Sequence, residues 1–201
     1  MLLSTAYFPP IEYFALLVGY SVPFYLEAHE NYVKQTYRNR CRILTASGVE
    51  DLRVPVVHGE SKLITDIKVD YSTPWLRRTE YAIDSAYYSS PFFEYYRDSL
   101  FAVLDSHPET LWELNRRITD YFCAKIGLAP DFRLTEDFAP LGGEDDYRFS
   151  IAPKIQSAYT GKEYWQVFKD KFGFIPNLSI MDLLFNEGPE AICYLKLNIF
   201  R

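Results

Sequence analysis

The chain has 201 residues, 48% of them hydrophobic, and carries 21 Lys and Arg against 27 Asp and Glu, a formal net charge of −6. Folding at this length buries roughly 70% of the surface exposed in the unfolded chain, so one domain over residues 1–201 is expected. The acidic balance argues against nucleic acid, which requires a broad basic face, and no apolar run approaches the ~20 residues of a membrane span.

Met1-Leu2-Leu3 lacks a basic start and Pro9-Pro10 interrupts the apolar stretch, so no secretory leader is expected. Residues 2–7 read as a short buried strand stopped by those prolines. Residues 11–18 place Ile11, Phe14, Ala15 and Val18 at helical spacing, with Gly19 as a stop. Residues 24–26 form a second strand. Two strand-like runs, 40–46 and 52–57, flank the turn signal Ser47-Gly48 and predict a hairpin; residues 67–69 predict a further strand.

Pro74, Pro91 and Pro108 each follow a residue able to cap, Thr73, Ser90 and His107, which predicts three helices with proline at the first position. Phe93, Tyr96, Leu100 and Leu104 make one apolar stripe. Leu111, Leu114, Ile118, Phe122 and Ile126 make the next, closed by Gly127. Residues 130–160 hold three prolines, Gly142-Gly143 and the acidic run Glu144-Asp145-Asp146, and read as a long surface excursion. A short amphipathic helix is expected over 163–172. Another starts at Ser179, with Asp182 at capping-box spacing, and ends at Gly188-Pro189. Strands first and helices after predict an α/β (α+β) fold, a mixed sheet covered by helices.

Cys41, Cys123 and Cys193 are odd in number and widely spaced, which excludes a disulfide framework and a zinc pattern and suits a reducing cytoplasm. The 17 Tyr, 15 Phe and 3 Trp point to aromatic core packing, or to a cleft lined by rings. His29, His58 and His107 are the only histidines. His107 is read as a helix cap and His58 as part of a turn before Gly59. His29, near Lys34 in sequence, is the one placed to act as a base, with a surface role as its alternative. No G-x-S-x-G elbow, G-x-G-x-x-G loop or paired carboxylate is present, Asp66, Asp70 and Glu80 included. We expect neither cofactor nor metal.

The densest chemistry is Lys34, Arg38, Asn39, Arg40 and Arg42, four cations within nine residues of an acidic chain. Were the strand to begin at Arg38, then Arg38, Arg40 and Arg42 would share one face, opposite Asn39, Cys41 and Ile43. Arg53 would join that face in a suitable register. Guanidinium forks suit phosphate or carboxylate, so the first reading is an anion pocket for a sugar nucleotide or acyl phosphate. The competing reading is a solvated face balanced by Glu27, Glu30, Glu50 and Asp51, its arginines guarding a sheet edge.

Tyr7-Phe8-Pro9, Tyr13-Phe14, Tyr32, Lys34, Tyr37, Asn39-Arg40 and Arg42-Ile43 occur in an order that resembles the WbqC-like family. So do Leu52, Val54-Pro55-Val56, Trp75, the aromatics after Ser90-Pro91, Gly173-Phe174, Leu178-Ser179 and residues 182–186. The family occurs in bacterial surface-polysaccharide (O-antigen) gene clusters. The chain departs from it at Ser4-Thr5, where members often carry Gln-Pro. The resemblance favours ligand-binding roles for Lys34, Asn39 and Arg40, which fall at motif positions, as Arg38 does not. It implies a pathway context and supplies no reaction. The first hypothesis built on it is a transferase acting on a nucleotide-linked or lipid-linked sugar or similar anionic small molecule. Arg40 and Arg42 hold phosphates, Lys34 and Asn39 orient or polarise the reacting group, and Tyr13, Tyr32 and Tyr37 line the sugar or base. The alternative is a non-catalytic binding or assembly module, whose exposed aromatics meet a second copy or a pathway partner.

Overall fold

The computed structural model describes residues 1–57, 59–157, 159 and 161–196; His58 lies outside them. In chain order the elements are β1 (Leu2–Leu3), α1 (Ile11–Gly19), β2 (Phe24–Leu26), β3 (Arg40–Thr45), β4 (Gly48–Arg53), α2 (Trp75–Tyr87), α3 (Phe93–Asp105), α4 (Leu111–Ile126), β5 (Phe132–Leu134), α5 (Lys169–Phe172), α6 (Ile180–Glu187) and α7 (Ala191–Lys196). The α/β architecture expected from the sequence is present. Its strands form a parallel sheet in the order β1-β2-β5 and a separate antiparallel β3-β4 hairpin.

Both apolar stripes are buried along their full length, on α3 and on α4. Gly127 ends α4 in the left-handed region, at φ 80, a conformation open to glycine. The caps differ from expectation. Helices begin one to three residues after Pro74, Pro91 and Pro108, so none of the three prolines is the first helical residue. Thr110 caps α4 by accepting from the Glu113 amide, and His107 turns at φ 48 instead.

Several strands and helices are shorter than the sequence suggests. Only Leu2–Leu3 of residues 2–7 is strand, since Phe8 turns the chain inward at φ 43. Residues 67–69 make isolated bridges, Val69 to Val56 and Lys68 to Thr110. β4 starts at Gly48, before the expected Leu52, because Thr45 pairs with Gly48 and its hydroxyl donates to the Gly48 carbonyl at 3.0 Å. In 163–172 only the last turn is helical. Tyr164 and Gln166 are both buried, two residues apart, and the Gln166 amide exchanges hydrogen bonds with the Ile175 backbone. That side chain replaces the helical ladder.

Two ion pairs are buried, one local and one between distant segments. Arg38 Nε donates to Glu30 Oε1 at 2.8 Å, and the pair is closed by a second contact between Arg38 Nη2 and Glu30 Oε2. Arg148, in the 130–160 segment, is fully enclosed and lies 2.8 Å from Glu27 and 2.7 Å from Asp146. Glu27 also accepts from the Thr135 hydroxyl and the Ala139 amide, at 2.8 and 3.0 Å. This fastens the segment beside β2.

In α6, Ser179 caps the first turn by accepting from the Met181 amide, while Asp182 turns into the core. There it accepts from Tyr164 at 2.5 Å and Gln166 at 2.8 Å. Burial raises its carboxyl from the usual 3.8 to about 6, against those hydrogen bonds. The folded state therefore holds this proton more tightly than the unfolded chain. The stabilisation is full below about pH 4 and is lost as pH rises through about 6, some ~3 kcal/mol in all. Asp182→Asn should flatten that part of the profile. Urea midpoints at pH 4.5 and 7 measure it, and an identical slope in both proteins would refute the assignment.

Candidate functional site

β3 begins at Arg40 because Arg38 is drawn into the core by Glu30. Register places Arg40 opposite Arg53 and Arg42 opposite Asp51, so these four share the outer face while Cys41, Ile43 and Leu52 are buried on the other. Two like charges directly opposite destabilise a hairpin. Asp51 offsets this, accepting from Arg40 at 2.9 Å and Arg53 at 3.2 Å, with Arg42 at 4.0 Å. One carboxylate serves three guanidiniums.

Beside this face runs a groove of about 650 Å³, within the range of small-molecule sites. Lys34 and Gln35 enter it from a loop, Arg40 and Arg53 from the hairpin, residues 54–56 as an apolar ledge, and Trp75 and Arg78 from the first turn of α2. Lys34 and Arg78 are exposed and make no ion pair among the described residues. Gln35 holds a left-handed backbone at φ 63, a strain of the kind that clusters at ligand sites.

Hydrogen-bond accounting in the groove wall is incomplete. Asn39 Nδ2 donates to the Val54 carbonyl at 3.1 Å, which fixes Oδ1 as an acceptor. Asn39 Oδ1, Arg40 Nε and Trp75 Nε1 are enclosed without a hydrogen-bond partner among the described residues. Each such group costs about 1–3 kcal/mol. Tyr32 lines the groove half-buried. Burial raises its phenol, and Arg40 and Arg38 draw it partly back.

The structure thus brings Tyr32, Lys34, Asn39 and Arg40 together. Tyr13 and Tyr37 lie elsewhere, buried around a small pocket of about 10 Å³ with Ser4, Thr5 and Arg38. Tyr13 is there because residues 11–17 of α1 are buried on every side. Arg42 sits in a neighbouring concavity and donates to the Pro153 carbonyl at 2.7 Å. His29 contacts the Thr135 carbonyl at 3.2 Å and does not line the groove. Sequence reasoning missed Gln35 and Arg78. The signal for Arg78 was available: Arg77-Arg78 fall in the first turn of a helix with no acidic residue there, where the macrodipole disfavours cations. Among the described residues no cluster of His, Cys, Asp or Glu is arranged to hold a metal, and no helix is long and apolar enough to cross a membrane.

The WbqC-like protein family profile matches residues 5–166, which include every groove residue named above. The chain belongs to the WbqC-like protein family. The uncharacterized protein Rv1507c of Mycobacterium tuberculosis is 26% identical over 224 residues, covering 97% of this chain and 96% of that one. No solved structure matches this WbqC-like chain.

Proposed function

We propose that the groove binds a phosphorylated small molecule of the sugar-nucleotide class, and that the protein transfers a group from it during bacterial surface-polysaccharide assembly. The observation that carries the binding half is the convergence of Lys34, Arg40, Arg53 and Arg78 on one concavity whose single carboxylate is Asp51. Such a surplus attracts anions against the chain's overall charge. Lys34 and Arg40 grip phosphate, Asn39 accepts from a ligand hydroxyl, and Tyr32 lines the sugar or base. The pathway half rests on the family resemblance. The free, buried Cys41 and Cys123 suit a cytoplasmic setting.

A second reading, a binding module without catalysis, draws on a different observation. The groove's described lining holds no His, Cys or Ser, and Asp51 is engaged by Arg40 and Arg53. In that reading the exposed Tyr81, Tyr88 and Tyr95 meet a partner.

Thermal melts with a panel of sugar nucleotides test the first reading. At tenfold excess over Kd a ligand adds about 1.4 kcal/mol, a rise of about 3–5 °C at this chain length. Arg40→Ala should abolish the rise. No rise across the panel would sink the first reading; a clean monomer on co-purification from native lysate would count against the second. Turnover of the bound sugar nucleotide with added acceptor would favour transfer, and binding without turnover the module.

A further inference from the structure

Arg78 and Trp75 bring a second element to the groove that the hairpin arginines do not explain. α2 runs for 13 residues from Trp75, and no side chain caps its first turn. The Trp75 amide donates to the Thr73 carbonyl at 2.8 Å and that of Arg78 to the Pro74 carbonyl at 3.3 Å, so the amides of Leu76 and Arg77 are the ones left open. The unsatisfied amides at a helix start, with the macrodipole, favour an anion. Serine, threonine or aspartate commonly serves there; here Pro74 occupies the cap position. Trp75 is 5% exposed and lines the groove, and its indole N–H, enclosed in the wall, meets no acceptor. A buried tryptophan N–H normally finds one. Arg78, one turn on, is exposed and has no carboxylate partner among the described residues.

We propose that the first turn of α2 is a phosphoryl subsite of the groove: the Trp75 indole N–H and Arg78, with the open amides of Leu76 and Arg77, grip one phosphoryl group. This rests on the reading of the groove as an anion site and says where in it the phosphoryl group sits. All three contributions are donors, so the subsite takes a group that only accepts hydrogen bonds, as a phosphate dianion or a bridging phosphodiester does. Lys34 and Arg40 then grip the second phosphoryl group of a diphosphate ligand, with Arg53 beside them.

The test is a titration of the ¹⁵N-labelled full chain with inorganic phosphate, and separately with UDP-glucose, following the indole N–H signals of Trp75, Trp112 and Trp165. The Trp75 signal should move and saturate in both arms while the other two stay. A response to phosphate alone would assign a free phosphate or terminal monoester; a response in both would include a bridging diphosphate. Arg78→Gln, at an exposed position that leaves the core untouched, should weaken phosphate binding about tenfold or more, the worth of one charged hydrogen bond. Trp75→Phe should weaken it comparably. Saturable binding that is lost in Arg40→Ala, but leaves Trp75 unmoved and Arg78→Gln at full affinity, would overturn the subsite and keep the groove. No saturable binding in either arm would remove both.

Discussion

Replacing Arg148 with methionine will cost the fold about 3–5 kcal/mol, the usual penalty for stripping one partner from a buried ion pair. The guanidinium is fully enclosed. It donates to Glu27 at 2.8 Å, to the Ala139 and Pro140 carbonyls at 2.8 and 3.1 Å, and to both oxygens of Asp146 at 2.9 and 2.7 Å. Methionine fills much of the volume and makes none of these bonds, leaving the wholly buried Glu27 side chain without its cation. Urea denaturation measures the loss. Glu27→Gln in the same chain should recover part of it, since the stranded charge is then gone. A single mutant within 1 kcal/mol of the parent would show the network to be dispensable. Asp146 adds a pH signature. The hydrogen bond from Arg148 holds its carboxyl below the usual range, so its contribution is present above about pH 4 and fades as pH falls. Asp182 has the opposite sign.

Phe185→Ala should destabilise by a similar amount, about 3–5 kcal/mol for an aromatic removed from a closed core. The ring is wholly buried and lies 5.1 Å from both Tyr87 and Phe93, edge to face, with Tyr96 at 6.5 Å. It joins α6 to α2 and α3, so those three helices lose their common contact at once. Phe185→Leu, which keeps most of the volume, should lose less than half as much. Equal losses in the two variants would mean that ring geometry, and not burial, sets the value. Because the groove lies on the far side of α2's first turn, Phe185→Leu should leave anion binding intact.

The helical middle was legible because long apolar stripes on α3 and α4 repeat at one period and nothing competes with them. The hairpin was legible from its turn, though β4 opened earlier than its apolar residues suggest, since Val49, Glu50 and Asp51 join the backbone ladder and Glu50 and Asp51 add side-chain bonds to Thr45 and Arg40. β5 was not legible: three residues between prolines carry no periodicity, and their partner β2 is distant in sequence. Arg38 and Arg148 look in sequence like ordinary surface cations, and only the fold reveals the glutamate awaiting each. Within the groove, the charge surplus singled out Lys34 and Arg40, and the family resemblance added Asn39. Arg78 belongs to a helix whose approach to the hairpin no local pattern encodes. Tyr13 and Tyr37 sat close to the cluster in sequence, yet α1 and the Arg38–Glu30 pair carry them to another side of the core.

The anchoring of Glu27 to Thr135 spans 108 positions, and it bears on how the molecule is born. A ribosome releases the amino-terminal strands long before β5, so the hairpin and α2–α4 emerge with only local contacts available. β1 and β2 can pair early, but the sheet is completed only once synthesis passes β5, and until then β2 offers an unpaired edge to any neighbour. Slowing translation downstream of α4 would prolong that exposure, and nascent chains halted there should engage chaperones that the finished protein ignores.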